Sequence, residues 1–116
     1  MKALIIDDEI DICYLLSNIL KHKNLQPNYV NSLSEAKIAL QKEVPAIIFL
    51  DNHLPDGRGM DFISHIKRTY PTAKIVMITA HDNAEDRSRA LEVGADSFIG
   101  KPFTRDIIYK TLEQFI

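Results

Sequence analysis

Short apolar runs separated by amphipathic stretches constrain this chain more than any other feature of its sequence. Three runs stand out, and each ends on a polar residue: ALIID at residues 3–7, AIIFLD at 46–51 and AKIVMIT at 73–79. Such runs are typical of strands that are buried on both faces, as in a parallel sheet. Between them, apolar residues recur at the spacing of one helix face, which in the first helix consists of Ile12, Leu15, Leu16, Ile19 and Leu20. The pattern therefore predicts strands and helices in alternation.

Two weaker strands complete the pattern: QPNYV at 26–30, which Pro27 favours at an edge of the sheet, and DSFIG at 96–100. Helices are predicted over residues 10–23, 32–43, 60–70, 84–94 and 104–116. Short loops between alternating elements predict a single α/β domain over residues 1–116. We expect a doubly wound, five-stranded parallel sheet in the flavodoxin-like order 2-1-3-4-5, with helices on both faces.

Residues that start and end helices support these boundaries. Ser32 and Glu35 form a capping-box pattern at the start of the second helix. Thr104 is a suitable N-cap for the fifth helix, and Gly94 is a suitable residue just past the end of the fourth.

Charge and cysteine content exclude several classes of protein. The net charge is −2, so the sequence predicts no membrane binding and no direct attraction to nucleic acid. The single cysteine, Cys13, cannot form a disulfide within the chain. The first apolar run stops at Asp7, which is too early for a signal peptide, so we expect a cytoplasmic protein.

Polar side chains follow the predicted strands at the point where each one ends. They are Asp7 and Asp8 after the first strand, Asp51 at the end of the third, Thr79 at the end of the fourth and Lys101 after the fifth. In parallel sheets, ligands bind beyond these carboxyl ends. Three neighbouring carboxylates repel one another, and Mg²⁺ relieves this repulsion while leaving room for a phosphate oxygen.

Asp51 is the candidate nucleophile in this group. An ionised carboxylate can attack phosphorus without a general base and form an acyl phosphate. Thr79, Lys101 and the cation would stabilise charge on the phosphoryl oxygens. The neighbouring acids Glu9 and Asp11 are assigned only to the start of the first helix, where negative charge is favourable.

At these positions the chain resembles the receiver domain of bacterial response regulators. The resemblance covers essentially the whole chain and rests on IIDDE (5–9), FLDNHLPDGRGMDFI (49–63), IVMITA (75–80) and GADSFIGKPF (94–103). It implies a signalling switch in two-component phosphorelays and not an enzyme that acts on a separate substrate. Asp51 would be the phosphoacceptor, and a histidine kinase or histidine phosphotransfer protein would be the donor.

The resemblance also implies individual roles in metal binding. Asp8 and Asp51 would bind Mg²⁺ directly, together with the backbone carbonyl of His53, and Asp7 would act through a water. Thr79 and Lys101 would contact the phosphoryl group.

The resemblance further implies how the switch works. Thr79 would move inward on phosphorylation and let Phe98 turn inward, although static core packing of Phe98 is a serious alternative. The surface formed by the fourth helix, fifth strand and fifth helix would then change, and the same surface is a candidate homodimer interface. Nucleic acid would be reached only through an effector domain outside this chain. A cis peptide bond is expected between Lys101 and Pro102.

His53 and His81 lie two residues after Asp51 and Thr79, at positions that influence phosphoryl lifetime in the family. Two imidazoles there would tune that lifetime or its pH dependence. A transition-metal site is the weaker interpretation, because the sequence places no further His or Cys beside them.

Three other functions compete with the switch. An aspartyl-phosphate phosphatase would carry a second acid where DNH has His53. A flavin-binding carrier would need a Ser/Thr/Gly-rich phosphate loop where this chain has DDEID (7–11), which repels phosphate. A constitutive interaction module with the same fold would have no need of the acidic group.

Overall fold

A computed structural model describes residues 1–115 of the chain. Within these residues the chain forms seven strands and five helices. The strands are β1 (Lys2–Ile6), β2 (Gln26–Val30), β3 (Ile47–Asp51), β4 (His53–Leu54), β5 (Gly57–Arg58), β6 (Lys74–Thr79) and β7 (Ser97–Gly100). The helices are α1 (Ile10–Lys21), α2 (Leu33–Lys42), α3 (Gly59–Thr69), α4 (Ala84–Glu92) and α5 (Arg105–Glu113).

The main sheet has the predicted topology. Its order is β2-β1-β3-β6-β7, all pairs are parallel, and β2 lies at an edge as Pro27 indicated. Counted among the long strands alone, this is the order 2-1-3-4-5. The sequence analysis did not predict the short antiparallel hairpin of β4 and β5, which follows β3 directly.

Successive residues of the central strands pack into two separate cores, because side chains alternate between the faces of a strand. Ile6 and Leu50 belong to the core under α2, α3 and α4. Ile5 and Phe49 belong to the core under α1 and α5. Both faces of the central strands are therefore covered, which explains their uninterrupted apolar sequence.

Side chains cap the helices where the sequence indicated. The hydroxyls of Ser32 and Thr104 accept hydrogen bonds from the backbone N–H groups of Glu35 and Ile107, both at 3.2 Å. Gly94 follows α4 with φ of 122°, a conformation that glycine adopts without steric cost. The Lys101–Pro102 peptide bond is cis, which confirms that expectation.

Three predicted helices end at least two residues earlier than expected, among them α4, which ends at Glu92 and not at Gly94. α1 ends at Lys21 and not at residue 23, because Asn24 turns the chain with φ of 64° and Leu25 donates to the carbonyl of Leu20. α5 ends at Glu113, and the predicted final residue of that helix, Ile116, lies outside the described residues.

The buried face of α1 also differs from the predicted one. Cys13 is buried together with Leu16, Ile19 and Leu20, whereas Leu15 is 48% exposed. Leu15 lies about a quarter turn away from the face that packs on the sheet. Among residues 1–115, no helix is both long enough and apolar enough to cross a membrane.

Candidate functional site

The strand ends bring the predicted site residues to one edge of the sheet. Asp7 follows β1 directly, Asp51 is the last residue of β3, and Thr79 is the last residue of β6. Lys101 follows β7, and its backbone N–H donates to the carbonyl of Thr79 at 2.8 Å. The edge between β1, β3 and β6 is where the strand order reverses, which is where doubly wound sheets bind ligands.

Three carboxylates meet at this edge. Each of Asp7, Asp8 and Asp51 offers an oxygen, and these three oxygens lie within 4.8 Å of one another. Asp7 and Asp51 are 2% and 4% exposed, whereas Asp8 lies at the surface. The group therefore opens to solvent on the side of Asp8.

The ammonium group of Lys101 lies among these acids. Its Nζ atom is 2.9 Å from Asp7 Oδ2 and 3.6 Å from Asp51 Oδ1, and the side chain is only 8% exposed. Lys101 also contacts Glu9 Oε1 at 3.2 Å. The assignment of Glu9 to the helix start alone was therefore wrong, since its carboxylate reaches the site as well.

Burial sets the electrostatics of the site. Burial and, after it, the charge of Asp7 raise the pKa of Asp51, Lys101 opposes both effects, and the resulting pKa is about 6. Burial likewise raises the pKa of Asp7, against the hydrogen bond from Lys101. For Lys101, burial lowers the pKa, but the bond to Asp7 and the attraction of Asp51 outweigh it and leave the pKa raised.

The donor set fits a hard divalent cation. Lys101 supplies one positive charge in contact with Asp7, Glu9 and Asp51, and Asp8 adds a fourth carboxylate beside them. All side-chain donors in the triad of Asp7, Asp8 and Asp51 are oxygens, which Mg²⁺ prefers over nitrogen and sulfur. The geometry thus gives an acidic site that could bind a metal.

A cavity of about 230 Å³ opens above these residues. It is lined by Asp8, Glu9, Asp51, His53, Ala80, His81 and Lys101. The rings of His53 and His81, both exposed, lie 4.4 Å apart between centroids and form part of its rim. Both histidines therefore lie at the entrance of the site.

The chain turns back after Asp51, so that Gly59 lies against the backbone of Asp51. A Cβ atom at Gly59 would overlap the carbonyl oxygen of Asp51, so only glycine fits at the start of α3. The buried side chain of Asn52 accepts a hydrogen bond from the N–H of Met60 at 2.9 Å. Sequence reasoning missed Asn52, whose only signal was its place between a buried strand and a helix.

Thr79 and Phe98, the predicted switch residues, are both buried in this structure. Thr79 is 2% exposed, and its hydroxyl accepts from the N–H of His81 at 3.2 Å. Phe98 is 6% exposed and packs in the core under α4. Arg87 covers the Phe98 ring at 4.8 Å and donates to the Phe98 carbonyl at 3.2 Å. The aromatic ring therefore occupies the inward position.

The sheet order and the acidic edge define a doubly wound α/β protein with a candidate metal site at its topological switch point. The sequence profile of the response regulator receiver domain matches residues 3–113. The chain belongs to this family of receiver domains from two-component response regulators.

Individual relatives agree with this assignment. The phosphate regulon transcriptional regulatory protein PhoB of Escherichia coli is 39% identical over 105 residues, which are 89% of this chain and 46% of PhoB. The response regulator PilR of Pseudomonas aeruginosa is 37% identical over 101 residues, 87% of this chain and 23% of PilR. The chain thus spans about half the length, or less, of these curated relatives.

Solved structures match over nearly the whole fold. A two-component response regulator from Clostridium difficile has a TM-score of 0.94 at 28% identity, covering 99% of this chain and 94% of that one. The beryllofluoride-activated NtrC4 receiver domain, solved as a dimer, has a TM-score of 0.92 at 32% identity, covering 97% and 93%.

Proposed function

We propose that this chain is a phosphorylation-dependent signalling switch with Asp51 as its phosphoacceptor. One observation carries the proposal: Asp51 is buried at the end of β3, within 4.8 Å of two further carboxylates and 3.6 Å from the ammonium of Lys101. A buried acid with this electrostatic environment is typical of a functional site.

The donor is a phosphohistidine of a histidine kinase or histidine phosphotransfer protein. A carboxylate oxygen of Asp51 attacks the phosphorus, the P–N bond breaks, and its electron pair leaves with the imidazole of the donor. The phosphoryl group is then held as an acyl phosphate in the cavity bordered by Lys101 and Ala80. The Lys101 ammonium and the Thr79 hydroxyl contact its oxygens and offset their charge.

Asp8, Asp51 and the backbone carbonyl of His53 would hold Mg²⁺, and Asp7 would act through a water. When bound, the cation neutralises charge on the carboxylates and on the phosphoryl oxygens. Asp7 also orients Lys101 through its 2.9 Å ion pair. His53 and His81, at the rim of the cavity, adjust how readily water reaches the acyl phosphate and so tune its lifetime.

The output surface consists of α4, β7 and α5. Thr79 and Phe98 couple the phosphoryl group to this surface, which also serves as a homodimer interface. Any contact with nucleic acid would be made by an effector domain outside this chain; the relative PhoB is named a transcriptional regulatory protein. The chain acts as a regulator and not as an enzyme on a separate substrate.

Intact mass after incubation with acetyl phosphate tests the proposal. The parent should gain one phosphoryl group when Mg²⁺ is present and none in excess EDTA. Asp51→Asn should gain none, and Asp61→Asn, an exposed acid ten residues further along, should behave as the parent.

An adduct that persists at the parental rate in Asp51→Asn would refute the assignment of the acceptor. No adduct in the parent, with a known receiver labelled in the same buffer, would favour a module that signals by binding alone.

A further inference from the structure

Two separate loops carry the acidic site. Asp7 and Asp8 lie on the loop between β1 and α1, whereas Asp51 and His53 lie at the end of β3 and in the β4–β5 hairpin. Residues 31–35, here called the α2 start segment, contact both loops. Each contact is made by a side chain that the proposed switch chemistry does not use.

Asp56 joins the hairpin to the α2 start segment. Its two carboxylate oxygens accept hydrogen bonds from the backbone N–H groups of Leu33 at 2.8 Å and Ser34 at 2.9 Å. These bonds hold the pKa of Asp56 below its ordinary value. Gly57 lies against Leu33 so closely that a Cβ atom there would be 2.9 Å from the Leu33 side chain. The hairpin is therefore attached to the N-terminus of α2 by charge-assisted bonds and by packing.

Asn31 joins the other loop to the same segment. Its side-chain Nδ2 donates to the carbonyl oxygen of Asp7 at 2.8 Å. Its backbone N–H donates to Glu35 Oε1 at 3.1 Å, while Ser32 caps the N–H of Glu35. The first turn of α2 thus holds Asn31 in place through Glu35, and Asp56 caps the same turn. The Asp7 carbonyl also accepts from Cys13 Sγ at 3.4 Å, which further restrains it.

We propose that the α2 start segment fixes the separation of the two metal-binding loops, with Asn31 and Asp56 as positioning residues for divalent-cation binding. This inference rests on the proposed function, because it requires that the carboxylates bind Mg²⁺. Contact runs without interruption from the hairpin through Asp56, the segment and Asn31 to the backbone of Asp7.

The chemistry of the cation explains why such a connection matters. Mg²⁺ demands a near-ideal octahedral arrangement of oxygens and tolerates little variation in distance. If the loop with Asp7 and Asp8 and the hairpin with His53 moved independently, their ligands would have to be ordered when the ion binds, which weakens binding. A rigid connection between the loops orders them beforehand. Groups that orient metal ligands from behind commonly change affinity by about 10–100-fold, and we expect a smaller effect from this more distant contact.

The test measures Mg²⁺ affinity by calorimetry in the parent, Asp56→Asn, Asn31→Ala and the double variant. Asp56→Asn replaces one acceptor by a donor, and Asn31→Ala removes the bond to Asp7. Each single variant should raise the Kd for Mg²⁺ about 3- to 10-fold. Because both residues act through one segment, the double variant should fall short of the product of the single effects.

Two matched controls separate positioning from helix stability and from charge. Gln41→Gly weakens α2 at an exposed position near its other end and leaves the α2 start segment intact, so it should lower the urea midpoint in EDTA without changing the Kd for Mg²⁺. Asp61→Asn loses the same charge as Asp56→Asn from an exposed position on α3 and should leave the Kd unchanged. A merely structural role would lower the midpoint equally with and without Mg²⁺. A positioning role also reduces the rise in midpoint that Mg²⁺ produces.

The outcomes separate this inference from the function on which it rests. Parental Kd values in Asp56→Asn and Asn31→Ala, with Mg²⁺ bound normally by the parent, would overturn the positioning role alone. An equal loss of affinity in Gln41→Gly would also overturn it, since any weakening of α2 would then suffice. A parent that binds no Mg²⁺ would refute the proposed metal site and the positioning role together.

Discussion

Asp51 combines burial with a charge that its surroundings only partly offset. Lys101 lies 3.6 Å away but contacts Asp7 more closely, at 2.9 Å. The carboxylate is therefore costly to keep ionised, and its pKa is raised to about 6. The same feature that prepares the site for a cation lowers the stability of the cation-free protein.

Stability should consequently depend on pH through Asp51. The folded state holds this proton more tightly than the unfolded chain, so the contribution is favourable at low pH and is lost as the pH rises from 3.8 to about 6. In EDTA, Asp51→Asn should be more stable than the parent by about 1–3 kcal/mol at pH 7, and this difference should shrink toward pH 4.

Urea unfolding at both pH values measures this difference. Asp61→Asn controls for the loss of one charge at an exposed position. A parent as stable as Asp51→Asn at pH 7 without divalent cations would contradict the electrostatic account of the site.

A substitution at Gly59 tests the backbone geometry beside Asp51. Gly59→Ala should lower the free energy of unfolding by about 1–3 kcal/mol, because its Cβ overlaps the backbone of Asp51, which cannot move away cheaply. Gly100→Ala is the comparison, since the atoms nearest to its Cβ belong to the exposed side chain of Asp82, which can shift, and not to the backbone. Equal losses in the two variants, measured by urea unfolding, would argue against the close approach.

At the scale of elements, the helices differ in how firmly they are attached. α3 buries five of its residues, whereas α4 buries only Ala90. Arg87 attaches α4 to β7 by donating to the Phe98 carbonyl, and its ion pair with Asp82 at 2.9 Å joins the helix to the loop just before it. A helix with little buried apolar surface opens locally at low cost. α4 is thus the element of the proposed output surface that is easiest to move.

Hydrogen exchange should reveal this difference directly. Amides of α4 should exchange faster than those of α3, and Arg87→Met should accelerate exchange in α4 and β7 without affecting α3. Arg89→Met is the control, because it removes an arginine two residues along the same helix, also exposed. Protection of α4 equal to that of α3 would show that its attachment is stronger than its burial indicates.

At the scale of the whole molecule, cation binding and folding are linked. A ligand that binds only the folded state stabilises it, by about 1.4 kcal/mol at a free concentration ten times the Kd. Mg²⁺ should therefore raise the melting temperature of the parent, in a concentration-dependent manner that KCl of equal ionic strength does not reproduce.

Asp8→Asn should reduce this stabilisation, because Asp8 contributes an oxygen to the acidic group. Thermal unfolding at several Mg²⁺ concentrations measures it. An unchanged melting temperature in the parent up to millimolar Mg²⁺ would count against a cation site at this edge.

Local pattern was enough to predict most of the architecture. A strand buried on both faces needs an apolar run whatever it pairs with, so β1, β3 and β6 were found within one residue of their ends. Ser32, Thr104 and Gly94 mark helix ends through contacts with their own neighbours. The exposure of Leu15 was missed because apolar spacing alone does not say which face of a helix meets the sheet. The end of α1 was placed two residues too late.

The order of the elements and the acids at the strand ends could be predicted from the sequence, because both depend on residues that are close along the chain. The packing of distant elements decided that Lys101 contacts Glu9, 92 residues away, and that Asn31 donates to Asp7, 24 residues away. It also decided that Asp56 caps α2 and that Phe98 lies inward under Arg87. Such contacts depend on how separate elements pack, and no local pattern of residues encodes them.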